Sequence, residues 1–207
     1  MNLCWALVLL AAVCQAQEPT AANTAQIFDR IYAKSEPPFN TQPSAFLARA
    51  VEGLSPGKAL DVAMGQGRNS LFLARKGWVV TGYDISSVGL AQATEAAARQ
   101  GLILKTELAS HESFDFGTNR WDLVVMIFPG TSMEEQFVRK VKASLKPGGH
   151  IVVEQFNAPP VEGAIGPANA LFRSFQDLRV LRYEDVQEIS DWGRMKARIG
   201  RIAAVKE

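Results

Sequence analysis

A chain of 207 residues is long enough for one domain with a sizeable single core. Its 22 lysines and arginines against 21 aspartates and glutamates leave a formal charge of +1. That excludes a strong field for gathering phosphate backbones, so no nucleic acid partner is expected. With 47% hydrophobic and 21% charged residues, the composition is globular, not disordered or membrane-spanning.

The N-terminus departs from that average. Leu3 to Val13 is continuously apolar, too short to give a stable membrane span. Cys14-Gln15-Ala16 follows, with small residues where a signal peptidase reads, and then the polar Gln17-Glu18-Pro19-Thr20. The pattern predicts a cleavable signal peptide over residues 1–16, although its first residues, Met1 and Asn2, carry no lysine or arginine. A functional leader implies a periplasmic or secreted protein; an apolar helix packed on the domain is the other reading and leaves it cytoplasmic. Both cysteines, Cys4 and Cys14, lie in this leader, so a chain cut after Ala16 has no thiol for a disulfide or a metal. His111 and His150 stand far apart without a ligand pattern, and no metal site is expected.

Residues 17–25 read as a linker and 26–207 as the folded domain. Ile27, Phe28, Ile31 and Tyr32 recur at helical spacing, and Glu36-Pro37-Pro38 breaks the pattern. A helix starting near Ser44 carries Phe46, Leu47, Ala50 and Val51 on one face. Strands then alternate with helices, the grammar of a parallel sheet covered on both faces. The strands are Ala59 to Val62, Val79 to Tyr83, Leu102 to Thr106, Leu123 to Ile127 and Ile151 to Glu154. The helices are Asn69 to Arg75, Val88 to Arg99 and Met133 to Ser144, with Lys146-Pro147-Gly148-Gly149 expected to end the last. Leu178 to Ile189 and Met195 to Val205 are extended around the turn Asp191-Trp192-Gly193, which makes them an antiparallel β-hairpin. The expected fold is therefore α/β: a Rossmann-like, seven-stranded, mostly parallel sheet with helices on both faces.

Chemistry concentrates where the first strand gives way to a helix, at Asp61-Val62-Ala63-Met64-Gly65-Gln66-Gly67-Arg68-Asn69-Ser70. Glycine there lets backbone approach a ligand, and the helix start offers free N–H groups to an acidic group. About twenty residues later Asp84 ends the second strand, the position that hydrogen-bonds ribose hydroxyls. A helix N-cap is the plain reading of Asp84, though Ser86 or Ser87 serves that end.

Together these segments resemble the first motifs of class I S-adenosylmethionine-dependent methyltransferases. Trp121-Asp122-Leu123-Val124-Val125 and Leu145-Lys146-Pro147-Gly148-Gly149-His150 resemble that family's fourth and fifth strands, and the C-terminal hairpin is its signature. Gly67-Arg68-Asn69-Ser70 is similar to the small-molecule branch that includes tellurite-resistance and thiopurine methyltransferases. The resemblance implies S-adenosylmethionine as cofactor. Asp61 then orients the glycine turn, Gly65 and Gly67 lie under the methionine portion, Asp84 holds the ribose, Ile85 flanks the adenine, and Met126 lines the floor near the sulfonium. Two departures stand out: Ala63 replaces the first glycine of the usual triplet, and Ala109-Ser110 replaces an alanine–aspartate pair, so the bond to the adenine amine comes from Ser110 or is missing.

The implied acceptor is a small molecule in a pocket built from Tyr32, Phe39, Asn40, Phe128 and Pro129, with Asn157 to Asn169 as a lid. A soft thiol or chalcogen nucleophile needs no dedicated base, which fits a chain where His111 reads as structural. Trp121 and Trp192 read as structural too, and Arg173, Arg179 and Arg182 as a solvated strand face. The competing readings are a nicotinamide-dependent oxidoreductase, disfavoured by the terminal hairpin, and a noncatalytic S-adenosylmethionine- or nucleoside-binding protein that keeps the fold.

Overall fold

The computed structural model describes residues 21–130, 133–157 and 169–207. The expected leader over residues 1–16 and most of the expected lid lie outside the described residues. Among the described residues, no helix is long and apolar enough to cross a membrane.

The chain opens with α1 (Ala21–Tyr32) and α2 (Ala45–Ala50), then alternates β1 (Lys58–Val62), α3 (Arg68–Arg75), β2 (Val79–Asp84), α4 (Ser87–Arg99) and β3 (Leu104–Leu108). It continues through β4 (Trp121–Ile127), α5 (Glu135–Ser144), β5 (Leu145–Phe156), α6 (Ala170–Phe175), β6 (Arg179–Ile189) and β7 (Lys196–Val205). One sheet holds all seven strands in the order β3-β2-β1-β4-β5-β7-β6. Pairs from β3 to β5 are parallel, and β7 inserts antiparallel between β5 and β6. This is the expected fold.

Side-chain alternation divides the core between the two faces of the sheet. Val124, Met126, Ile151 and Val153 pack with Phe137 and Val141 of α5 and Leu171 and Phe175 of α6. Leu123, Val125, Ile127 and Val152 pack on the other face, with Phe46 and Leu47 of α2 and Leu73 of α3. The near-continuous apolar run of β4 follows from burial on both faces.

Three local expectations change. The stretch read as a linker is helical from Ala21 onward, because α1 is held from its far end: Phe28 and Tyr32 join an aromatic cluster. Lys146-Pro147-Gly148-Gly149 does not separate α5 from its strand, since β5 starts at Leu145. Trp121 pairs with Leu145 and Leu123 with His150, so the proline–glycine segment loops out as an irregularity within the strand. The short helix α6 had no sequence reading.

Segment 38–40 clasps the hairpin turn. Gly193 N–H donates to the Pro38 carbonyl at 2.8 Å and Asn40 N–H to the Asp191 carbonyl at 2.7 Å. On the other side of that segment, Ser44 is fully buried and caps α2, accepting the Leu47 N–H at 3.2 Å. Its hydroxyl donates to Glu154 of β5 at 2.6 Å, and Glu154 also receives Arg201 Nε at 2.8 Å. Ser44→Ala removes the cap and leaves a buried carboxylate short of a donor. It should lower unfolding stability by about 2–3 kcal/mol in denaturant titration; a loss below about 0.5 kcal/mol would show that this bond is dispensable.

Candidate active site

The site grows from the ends of β1 and β2. Their parallel register sets Asp61 beside Gly82 and Val62 beside Tyr83, so the turn after β1 and the end residue Asp84 emerge side by side. One Asp84 carboxylate oxygen accepts the Gly65 N–H at 2.8 Å and the other the Ser86 N–H at 2.8 Å. Burial pushes this carboxyl above the usual range, against the lowering effect of those N–H bonds.

Gly65 has φ +55°, and a Cβ there would collide with the Tyr32 hydroxyl. Gly67, at φ +81°, precedes α3, where a Cβ would come within 2.8 Å of the Ala93 side chain. Both positions therefore need glycine. Ala63 takes φ +53°, a left-handed conformation that costs a residue with a Cβ about 1 kcal/mol. Behind the turn, Asp61 is buried and accepts the Ser70 hydroxyl at 2.6 Å. Burial pushes its carboxyl up to about 7, despite the Ser70 hydrogen bond and the nearby Arg68 charge.

A cavity of about 570 Å³ opens at this edge of the sheet. Ala63, Gly65, Asp84, Ile85 and Ser110 all line it, while Asp61 and Gly67 shape the turn from behind. Met126 does not reach it. Strand alternation sends Met126 with Val124 into the α5–α6 core, and Ile127 and Phe128 line the cavity in its place.

The far wall is aromatic. Phe28 and Tyr32 of α1 meet Phe39 and Trp192, whose rings stack at 4.7 Å with planes 4° apart. Tyr32, Phe39, Phe128 and Pro129, the residues expected around an acceptor, all line the cavity. Asn40 does not: its side chain donates to Asp191 at 3.1 Å. Trp192, read as structural, is a wall residue, delivered by the hairpin turn that segment 38–40 clasps. Trp121 is in the core, its indole donating to the Phe116 carbonyl at 2.9 Å.

Two polar groups of the cavity, Arg68 and His111, are already engaged. Arg68 donates to the Gln42 carbonyl at 2.8 Å and to Asp191 at 3.0 Å. His111 lines the cavity, with Nε2 donating to the Pro129 carbonyl at 3.2 Å and Nδ1 accepting the Tyr83 hydroxyl at 2.8 Å. Burial holds the imidazole below its ordinary pKa and so favours the neutral ring, whose proton sits on Nε2 because the Pro129 carbonyl can only accept. Sequence reading gave no signal for this engagement, because Tyr83 and Pro129 sit on other strand ends. Arg179 and Arg182 lie on β6, paired with Glu207 and Glu184.

Residues 59–149 match the model of a family described as "Methyltransferase domain". The chain is 34% identical over 116 residues to ribosomal RNA small subunit methyltransferase C of Alcanivorax borkumensis, covering 51% of this chain and 35% of that protein. It is 29% identical over 110 residues to TehB of Haemophilus influenzae, a probable S-adenosyl-L-methionine-dependent methyltransferase, covering 50% of this chain and 37% of that one. It therefore spans little more than a third of the length of these relatives. The crystal structure of Haemophilus influenzae TehB superposes with a TM-score of 0.69 at 21% identity, covering 88% of this chain and 67% of that one. The N-methyltransferase NodS from Bradyrhizobium japonicum, solved with S-adenosyl-L-homocysteine, superposes at 0.68 and 17% identity, covering 89% and 98%.

The matched segment is a methyltransferase domain, and the seven-stranded sheet has the fold of class I S-adenosylmethionine-dependent methyltransferases. Within that class the chain is similar to TehB. The cofactor of the class is S-adenosylmethionine, and the residues present fit it. Gly65 leaves a cradle that a Cβ would fill, the first N–H groups of α3 face the same turn, and Asp84 presents a carboxylate already oriented by two N–H bonds.

Asp61 makes this architecture pH-sensitive. Its carboxyl titrates near 3.8 ordinarily and near 7 here, so between those values the folded chain keeps a proton that the unfolded chain has lost. Stability should therefore fall as pH rises through that window. Asp61→Asn keeps an acceptor for Ser70 and removes the charge, so its thermal midpoint should exceed wild type above about pH 7 and converge with it near pH 4. A midpoint difference that ignores pH would show that the Asp61 charge is not the cause.

Proposed function

We propose that this domain transfers a methyl group from S-adenosylmethionine to a small-molecule acceptor bearing a soft nucleophile, a thiol or a chalcogen, by in-line displacement. One observation carries the reading: a single cavity joins the Asp84 glycine-turn edge to an aromatic wall whose imidazole is already engaged. His111 has both ring nitrogens engaged, and burial raises the Tyr32 and Tyr83 phenols well above their ordinary range. Neither this imidazole nor these phenols take a proton readily near neutral pH, which favours an acceptor that arrives already partly ionised.

When bound, the cofactor supplies an electrophilic methyl carbon on a sulfonium that departs as a neutral thioether. The chain supplies placement. Asp84 and Ile85 would hold the nucleoside, with Ser110 at the adenine edge, and the Gly65 turn would hold the methionine end. Phe28, Phe39, Phe128 and Trp192 exclude water and present flat apolar surface to the acceptor. Holding the reactants in register supplies most of the acceleration when no proton must be moved. The relation to TehB supports the small-molecule reading, and the near-neutral charge weighs against a phosphate-rich acceptor.

Isothermal titration of the full chain with S-adenosylmethionine and S-adenosylhomocysteine tests the cofactor step. Wild type should bind both, and Asp84→Ala should weaken binding by about 10–100-fold, the worth of charge-assisted hydrogen bonds. A folded wild-type chain that binds neither would overturn the reading. An acceptor screen should then turn over small thiols or chalcogen compounds; turnover of ribosomal RNA alone would overturn the small-molecule assignment.

A further inference from the structure

Arg68 occupies an unfavourable position for a cation. It is the first residue of α3, where the helix dipole disfavours positive charge, and its side chain is 9% exposed. A buried ion pair is weak evidence for stability, because apolar residues of similar volume often serve as well. What this pair provides is a connection. A single nitrogen, Nη1, donates both to the Gln42 carbonyl at 2.8 Å and to Asp191 at 3.0 Å. The start of α3 is thereby tied at one point to the segment before α2 and to the hairpin turn between β6 and β7.

Those two partners already form a unit. Gly193 and Asn40 bond it through the Pro38 and Asp191 carbonyls, the Asn40 amide reaches the other oxygen of the Asp191 carboxylate at 3.1 Å, and Arg194 donates to the Phe39 carbonyl at 3.2 Å. Within the unit the rings of Phe39 and Trp192 stack face to face, and both line the cavity. These bonds hold the rings to each other but do not set where the pair stands against the sheet. Arg68 does. It follows Gly67 directly, so its backbone continues the glycine turn, while its side chain grips the unit that carries the far wall. Asn69 adds a second tie, its Oδ1 accepting the Ser44 N–H at 3.0 Å, at the foot of the segment and away from the hairpin turn. In-line displacement loses rate steeply when the reactants are misplaced by about 1 Å, so the spacing that Arg68 sets bears on the chemistry.

We propose that Arg68 is a positioning residue for the acceptor: through Gln42 and Asp191 it sets the distance between the glycine turn and the Phe39–Trp192 pair. This rests on the functional reading given above, in which that pair meets the acceptor. The test uses the full chain labelled with 5-fluorotryptophan, the Trp192 fluorine signal being assigned by Trp192→Phe, and benzenethiol as the acceptor probe. Arg68→Gln and Asp191→Asn each remove one charge of the pair. Both should shift or broaden the Trp192 signal and leave those of the buried Trp78 and Trp121 in place. Single-turnover methyl transfer to benzenethiol should fall about 10–100-fold, while S-adenosylhomocysteine affinity in calorimetry changes by less than about twofold. Asp191→Asn keeps the shape of its side chain and carries the test if Arg68→Gln unfolds. An unmoved Trp192 signal, a moved signal with unchanged transfer, or equal losses of transfer and cofactor affinity would overturn the assignment and leave the functional reading intact. A wild-type chain that binds S-adenosylhomocysteine but transfers no methyl group to benzenethiol would overturn the acceptor reading and this assignment with it.

Discussion

The rest of the site depends on one constraint: the Asp84 carboxylate is shared between the turn after β1 and the start of α4. Its two oxygens accept the Gly65 and Ser86 N–H groups, so two chain reversals are fixed against each other by a group with no room to move. Parallel pairing of β1 and β2 makes this possible, because it brings both strands to the same edge in register. Everything that follows is measured from that point. Gly65 can turn only if it has no side chain, α3 starts where Gly67 allows it to pack on Ala93, and α1 docks through Ser86. A parallel sheet gathers loops at one edge; here one carboxylate turns that gathering into a defined geometry.

The sequence made the fold and half of the site legible for the same reason: the signals are local. Apolar runs punctuated by glycine and proline mark strands and helices, and a glycine turn with an acidic residue some twenty positions later marks two neighbouring strand ends. Met126 shows where locality fails. Its distance along β4 suggested the floor of the cavity, but the parity of a strand decides which face a side chain takes, and only the packing of Val124 and Met126 against α5 reveals it. Trp192 and His111 failed differently. Trp192 meets Phe39 across more than 150 positions of chain, and His111 is neutralised as a base by Tyr83 and Pro129 from two other loops. The Lys146-Pro147-Gly148-Gly149 segment carries a real breaking signal, yet a bulge and a helix stop use the same residues, and the signal alone does not separate them.

Backbone strain and buried carboxyls meet at this edge of the sheet. Ala63 and Phe128 adopt positive φ without being glycine, at the ends of β1 and β4. Asp61 and Asp84 are carboxyls whose burial opposes their ionisation. Each costs stability, whereas the buried Glu154 carboxylate, away from this edge, is offset by Arg201, which also meets Glu184 and Glu188. A domain optimised for stability alone would place glycine at residue 63 and an apolar residue at 61. That these four sit around one cavity argues that the cavity is what they serve.

The wall opposite Asp84 completes this logic. Its rings come from α1, from segment 38–40, from the loop after β4 and from the hairpin turn, so it forms only when the whole sheet has formed and the terminal hairpin has folded back onto the N-terminal segment. The strands early in the chain position the polar edge, and the C-terminal hairpin completes the apolar side. Charge follows the same division. The Arg68 guanidinium in the wall is tied to Asp191, and the imidazole is held neutral. A wall built this way lowers the local dielectric without adding a net field, which strengthens whatever electrostatic contrast the bound pair brings. The protein then contributes proximity and dryness, and reactivity has to come from the reactants themselves. Such a division of labour suits a nucleophile that is soft and already partly ionised, because desolvating it costs less than desolvating a hard oxygen anion and no proton has to leave through the wall.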